Sequence, residues 1–211
     1  MIKRLLSYFL PIKVYETPSK TSTNLEVTWN NGYLVLDSKN TNYSFGSLQR
    51  ALKKGLKYIG YERIRNFESI LILGVAGGSV IETLKKEVKF DGKITGVEID
   101  ATVVDIANKY FGLSKYDNLE IVIDDAFEFV LKTKDTYDLI IIDIFQDTIM
   151  PNFLFEDYFI NRINFLLNVN GFILFNTMAL KYNDRRRNAI YKSKFDSNYS
   201  VRLYPKIEVH N

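Results

Sequence analysis

The chain has 211 residues, 46% hydrophobic and 25% charged, the make-up of an ordinary globular protein with room for one sizeable α/β domain or a core domain with a small appendage. It contains no cysteine and a single histidine, the penultimate residue His210. That excludes disulfides, thiolate metal sites and thiol nucleophiles, argues against histidine triads and histidine-based metal sites, and leaves acid–base chemistry to carboxylates, tyrosines and lysines. A net charge of +3 is too small to argue for nucleic acid.

The opening "MIKRLLSYFLPIKVYE" sets a basic pair before an apolar run, as a signal peptide does. Ser7 and Pro11 interrupt the run, and no small-residue cleavage site follows. No stretch approaches the ~20 apolar residues of a membrane span, so the expectation is a cytoplasmic protein without a membrane partner. "LEVTW" (25–29) and "YLVLD" (33–37) flank Asn30-Asn31-Gly32, a hairpin signal. "SFGSLQRALKKGLKYIG" then places Leu48, Leu52, Leu56 and Ile59 on one helical face.

From residue 69 the rhythm changes and repeats. The strand "SILILG" precedes a helix carrying Val80, Ile81, Leu84 and Val88, and "KITGVEI" precedes one carrying Val103, Ala107 and Tyr110. "LEIVI" leads into "AFEFVLK"; "YDLIIID" leads, past Pro151, into a helix from about Phe155 to Leu167; "GFILFNT" (171–177) is the fifth strand. Aliphatic strands alternating with amphipathic helices predict a doubly wound, parallel, Rossmann-like α/β sheet. The expected division is a small N-terminal β region over 1–42 and a Rossmann-like domain over 43–211. Arg185-Arg186-Arg187 reads as a solvated helix face rather than a phosphate site. The tail from Tyr199 reads as two short strands around Pro205, breaking off at Asn211 as a truncated chain would.

Ligands of open α/β sheets bind beyond the carboxyl ends of the strands. There the sequence places Gly74-Val75-Ala76-Gly77-Gly78, then Glu98, then Asp124-Asp125, then Asp143. Three successive strands deliver carboxylates beside a glycine turn, an arrangement that suits a ligand rich in hydroxyl and amino groups. The dinucleotide pattern fails, because Ala76 and Ser79 stand where it needs glycine. A nicotinamide-dependent dehydrogenase is therefore the weaker option.

Residues 69 to 177 resemble the class I S-adenosylmethionine-dependent transferases, and within them the spermidine synthase branch. The likeness lies in "ILILGVAGGSV", "GVEID", "VIDDAFEFV" and "YDLIIIDIFQD", and extends forward to "GYLVLDSKNTNYSFGSLQRAL". It implies a doubly wound fold of the class I methyltransferase type with a small N-terminal β-hairpin region, S-adenosylmethionine or its decarboxylated form as the bound cofactor, no metal, a small-molecule acceptor and a homodimer. It also implies that Gly74, Ala76, Gly77 and Gly78 approach the cofactor's amino-acid side. Glu98 takes the ribose hydroxyls, with Ile99 beside it, and Asp125 the adenine amino group, with Asp124 and Ala126 beside it. Asp143 lies at the transferred group as the catalytic residue.

Aminopropyl transfer asks for a neutral attacking amine and for anions around a diamine. The family meets this with an aspartate in the glycine loop, carboxylates on the first helix segment and two aspartates three apart after the fourth strand. Here Ala76 fills the loop position, Thr41–Ser47 carries no carboxylate, and Gln146 follows Asp143 at three, with Asp147 adjacent. Methyl transfer needs only a positioned nucleophile and a base. From the sequence, the expectation is thus a methyltransferase on an unknown small acceptor, with Tyr43, Phe45, Gln146 and Asp147 on the acceptor side and Phe145 and Phe153 as further pocket aromatics. The alternatives are a polyamine aminopropyltransferase using decarboxylated S-adenosylmethionine, or a non-catalytic protein on the cofactor fold.

Overall fold

The computed structural model describes residues 2–19, 24–38, 42–44, 47–145 and 149–204, with side chains from 42–44 and 47–48 left out. A short helix α1 (Ile2–Leu6) precedes four antiparallel strands, β1 (Ile12–Thr17), β2 (Leu25–Asn30), β3 (Tyr33–Ser38) and β4 (Asn42–Ser44), in that spatial order. The expected hairpin is β2–β3, closed by Asn31 and Gly32 at positive φ and paired from Asn30–Tyr33 to Leu25–Ser38. Leu25, Val27 and Leu36 bury its inner face against Val103 and Ile106.

Helices α2 (Ser47–Ile59) and α3 (Tyr61–Arg65) lead to a five-stranded parallel sheet. Its strands are β5 (Ser69–Leu73), β6 (Lys93–Glu98), β7 (Leu119–Ile123), β8 (Tyr137–Ile142) and β9 (Leu167–Phe175), in the order β7-β6-β5-β8-β9. The crossovers carry α4 (Ser79–Thr83), continued by a π turn, α5 (Ala101–Ile106), likewise continued, α6 (Ala126–Lys132) and α7 (Asp157–Leu166); α8 (Tyr182–Ser193) follows β9.

The period-2 alternation of β5 builds two cores. Ile70 and Ile72 face Leu52, Leu56, Val80, Ile81, Leu84 and Val88, all buried. Leu71 and Leu73 face Val130 of α6 and Phe159, Ile163 and Leu166 of α7. Helices on both faces make the sheet doubly wound, as the sequence pattern requires.

Two expected elements differ. The fifth strand begins at Leu167, not at residue 171, because Asn170 takes φ 65° within it and the pairing with β8 shifts register there instead of turning. Of the two tail strands, the described part (Val201–Tyr204) is not a strand; Tyr204 stacks on Tyr58 of α2 at 4.0 Å, which draws the chain onto a helix rather than a strand edge. Residues 205–211 lie outside the described residues. Among the described residues, no helix is long and apolar enough to cross a membrane.

Candidate functional site

Strand order reverses at β5: β6 and β7 lie to one side, β8 and β9 to the other. Ligands of open α/β sheets bind at such a switch point, beyond the strand ends. Backbone hydrogen bonds tie those ends into one ledge. Asp124 N donates to Glu98 O (3.1 Å), Gly74 N to Val97 O (3.0 Å), Asp143 N to Leu73 O (2.9 Å) and Asn176 N to Ile142 O (3.0 Å).

The turn after β5 depends on its small residues. Gly74 has φ 91°, and a Cβ there would lie 2.3 Å from the backbone oxygen of Asp143. Gly78 has φ 82° and would drive a Cβ to 2.4 Å from Leu113. Ala76, at φ 47°, is left-handed without being glycine, a strained conformation. Gly74→Ala combines a left-handed strain with a backbone clash, and is expected to cost about 2–3 kcal/mol in a denaturant titration.

Glu98 closes the turn from below. Its Oε2 accepts from Ala76 N (2.9 Å) and Val75 N (3.2 Å), its Oε1 from Asp100 N (3.2 Å), and it is 8% exposed. Burial pushes its carboxyl up, against the pull of those backbone N–H groups. The structure thus gives Glu98 a role in holding the loop, beyond the ribose contact that the resemblance implies. Asp125 caps α6, its Oδ1 accepting from Phe127 N at 2.8 Å, and Asp124 Oδ1 accepts from Asp125 N at 2.8 Å. Ala126 is buried beneath them. Ile99 and Ile123, at the ends of β6 and β7, are 48% and 55% exposed.

Asp143 stands just past β8, partly exposed, and its Oδ1 accepts from Asn176 Nδ2 at 2.8 Å. Desolvation pushes its carboxyl from 3.8 up to about 6, and the Asn176 amide pulls the other way. Asn176 is 6% exposed and occupies the ledge position after β9. A search of strand ends for carboxylates stops at the fourth strand and passes over this amide; its place directly after the fifth strand is the signal that finds it.

The expected acceptor side is only partly visible. Phe45, Gln146, Asp147 and the side chain of Tyr43 lie outside the described residues. Phe145 packs against the second core, and Phe153 lies between Phe127, tilted at 5.4 Å, and Phe159, edge to face at 5.0 Å. Among the described residues, no group of three potential metal-ligating side chains forms.

The sheet order, the glycine turn and the acids along one ledge define a Rossmann-like fold of the class I methyltransferase type. Residues 50–198 match the spermine/spermidine synthase domain. The chain belongs to the spermine/spermidine synthase family. A curated relative, the polyamine aminopropyltransferase of Vibrio vulnificus, is 30% identical over 139 residues, 64% of this chain and 46% of that protein. The chain spans less than half the length of this relative. The spermidine synthase of Thermotoga maritima superposes with a TM-score of 0.62 at 23% identity, over 87% of this chain and 62% of that one. A spermidine synthase in complex with the transition state analogue AdoDATO superposes with a TM-score of 0.64 at 23% identity, over 87% and 64%. At these identities the superpositions speak to the fold.

The family match corrects the functional expectation. Methyl transfer is favoured by the sequence because Ala76 and the segment Thr41–Ser47 lack carboxylates. The family domain and the curated relatives, polyamine aminopropyltransferases, point instead to aminopropyl transfer. The missing carboxylates concern only a few positions, and the side chains of Thr41–Ser47 lie outside the described residues. Asp143, its carboxyl raised to about 6, stands on the same strand-end ledge.

Proposed function

We propose that this chain is an aminopropyltransferase that moves a three-carbon amine from decarboxylated S-adenosylmethionine onto the amine of a putrescine-type acceptor. The observation that carries the reading is the family match over residues 50–198 coinciding with a desolvated carboxylate, Asp143, at the switch point of the sheet. The donor supplies a carbon activated by its sulfonium. Attack by the amine forms a C–N bond, breaks the C–S bond and releases a neutral thioether; the proton on nitrogen passes to Asp143 Oδ. A carboxylate with a pKa of about 6 accepts that proton near neutral pH better than an ordinary aspartate does. Asn176 holds Asp143 Oδ1 in place.

The residues present fit an adenosyl group. Glu98 lies beside the glycine turn, Asp125 keeps one carboxylate oxygen beyond its helix cap, and the exposed Ile99 and Ile123 offer apolar surface to a flat ring. Asp124 adds a second carboxylate on that side. Ala76 offers the donor no anion, so in this reading the donor's ammonium faces the remaining carboxylates.

The test is ligand-induced stabilisation. Decarboxylated S-adenosylmethionine at 100 times its dissociation constant is expected to add ~2.7 kcal/mol, a rise of several degrees in Tm. In this reading, S-adenosylmethionine raises Tm less at equal concentration. Equal or greater stabilisation by S-adenosylmethionine contradicts the donor assignment.

A further inference from the structure

The basic run Arg185-Arg186-Arg187 has no part in the ledge, and it is not the uniformly solvated face its sequence suggests. Asn183, Arg186, Arg187 and Ile190 of α8, with Lys194 just past its end, recur at three- and four-residue intervals along one side. With Phe155 and Tyr191 they line a cavity of about 280 Å³. None of these residues belongs to the strand-end ledge.

The wall is aromatic and firmly held. Phe155 and Tyr191 meet edge to face at 5.8 Å, and both pack on Phe175. Lys194 Nζ is committed to that wall, donating to Phe155 O (2.7 Å) and pairing with Asp157 (2.7 Å). The two arginines are not committed in the same way. Arg187 lies over the Phe155 ring at 4.2 Å, and its nearest carboxylate, Asp184, is 3.8 Å away. It donates to Met178 O at a long 3.4 Å and to Met150 Sδ at 3.5 Å, and its buried Nε has no partner among the described residues. Desolvation lowers its pKa, as expected of a guanidinium short of anions. Arg186 and Asn183 are exposed and make no hydrogen bond or ion pair among the described residues.

Two adjacent guanidinium forks, one under-paired and one unpaired among the described residues, beside an amide and an aromatic wall make a recognition geometry. Guanidinium binds carboxylate and phosphate through paired, charge-assisted hydrogen bonds, and the ring surface takes an apolar group. The cavity is slightly smaller than a drug-sized pocket of ~300–1,000 Å³. We propose that it binds a small organic oxyanion, a carboxylate or phosphate monoester bearing an aromatic or apolar group. A diamine acceptor carries the opposite charge, so this ligand is not the acceptor of the proposed reaction, and the site stands whether or not that reaction is confirmed.

Calorimetric titration of the full chain with phenyl phosphate, benzoate, inorganic phosphate and benzyl alcohol tests this. Saturable one-site binding of phenyl phosphate or benzoate is expected, the tighter of the two identifying the oxyanion, with inorganic phosphate weaker and benzyl alcohol silent. Arg186→Gln, at an exposed position that leaves the fold intact, should weaken binding by about tenfold, and Arg187→Lys should weaken it with the charge kept. Lys109→Gln, a cation away from the cavity, should not change it. Binding by Arg186→Gln as tight as wild type overturns the proposal, because it places the ligand elsewhere. So does the lack of saturable binding by both aromatic anions.

Discussion

Asp143→Asn is expected to lower aminopropyl transfer by ~10²–10⁴-fold while making the protein more stable at pH 8. The rate loss follows from the amide's inability to take the proton of the attacking amine. The stability gain follows from linkage. A carboxyl whose pKa rises from 3.8 to about 6 on folding binds its proton more tightly in the folded state. This group's contribution to stability is therefore highest below pH 4, falls as pH rises through the interval between those values, and stays lower above it. Removing the charge recovers a penalty on the order of 2–3 kcal/mol at most, a Tm increase of roughly 5 °C at pH 8 and close to none at pH 4. The amide oxygen can still accept from Asn176 Nδ2, so the loop keeps its shape. In the wild type, activity should climb with pH through an acid limb near 6. A variant with undiminished turnover would confine Asp143 to a structural role; one with unchanged Tm at pH 8 would mean that the carboxylate is better solvated than its position implies.

Glu98→Ala is expected to be strongly destabilising, before any ligand is considered. Three backbone N–H groups, of Val75, Ala76 and Asp100, give up their acceptor together, at a buried position. Hydrogen bonds to a charged group contribute ~1.5–3 kcal/mol each, but deleting a carboxylate that burial disfavours returns part of that. The net loss should be about 3 kcal/mol, a Tm decrease of roughly 6–12 °C. The glycine turn should loosen with it, and the stabilisation by an adenosyl ligand should disappear. Glu98→Gln separates the two effects, since it keeps one acceptor oxygen for the turn and loses the second. An alanine variant as stable as wild type would mean the turn is held by its own glycine geometry.

The sheet was legible because its signals are physical and local. Runs such as Ile70–Leu73 and Leu139–Ile142 are apolar on both faces, which only a strand between two helical layers requires. Glu98 and Asp143 close or directly follow such runs, so their place at the strand ends is readable from the order of residues alone. The start of β9 was not legible, because Asn170-Gly171 has the composition of a turn and the structure uses it as an irregularity within a strand. The second job of Glu98 and the amide partner of Asp143 depend on contacts across strands that sequence spacing does not encode. Arg187 likewise reads as one of three exposed cations until the Phe155 ring beneath it is known. The reaction type is corrected for a different reason: absent carboxylates at a few positions weigh less than a domain match over residues 50–198, which single-residue spacing does not register.

The most direct test is to incubate the purified chain with decarboxylated S-adenosylmethionine and putrescine, and separately with S-adenosylmethionine and the same amine, reading products by mass spectrometry. The account predicts spermidine and the adenosyl thioether in equal amounts from the first mixture, no methylated amine from the second, and loss of both products with Asp143→Asn. A methylated product from the second mixture with no spermidine from the first would contradict it.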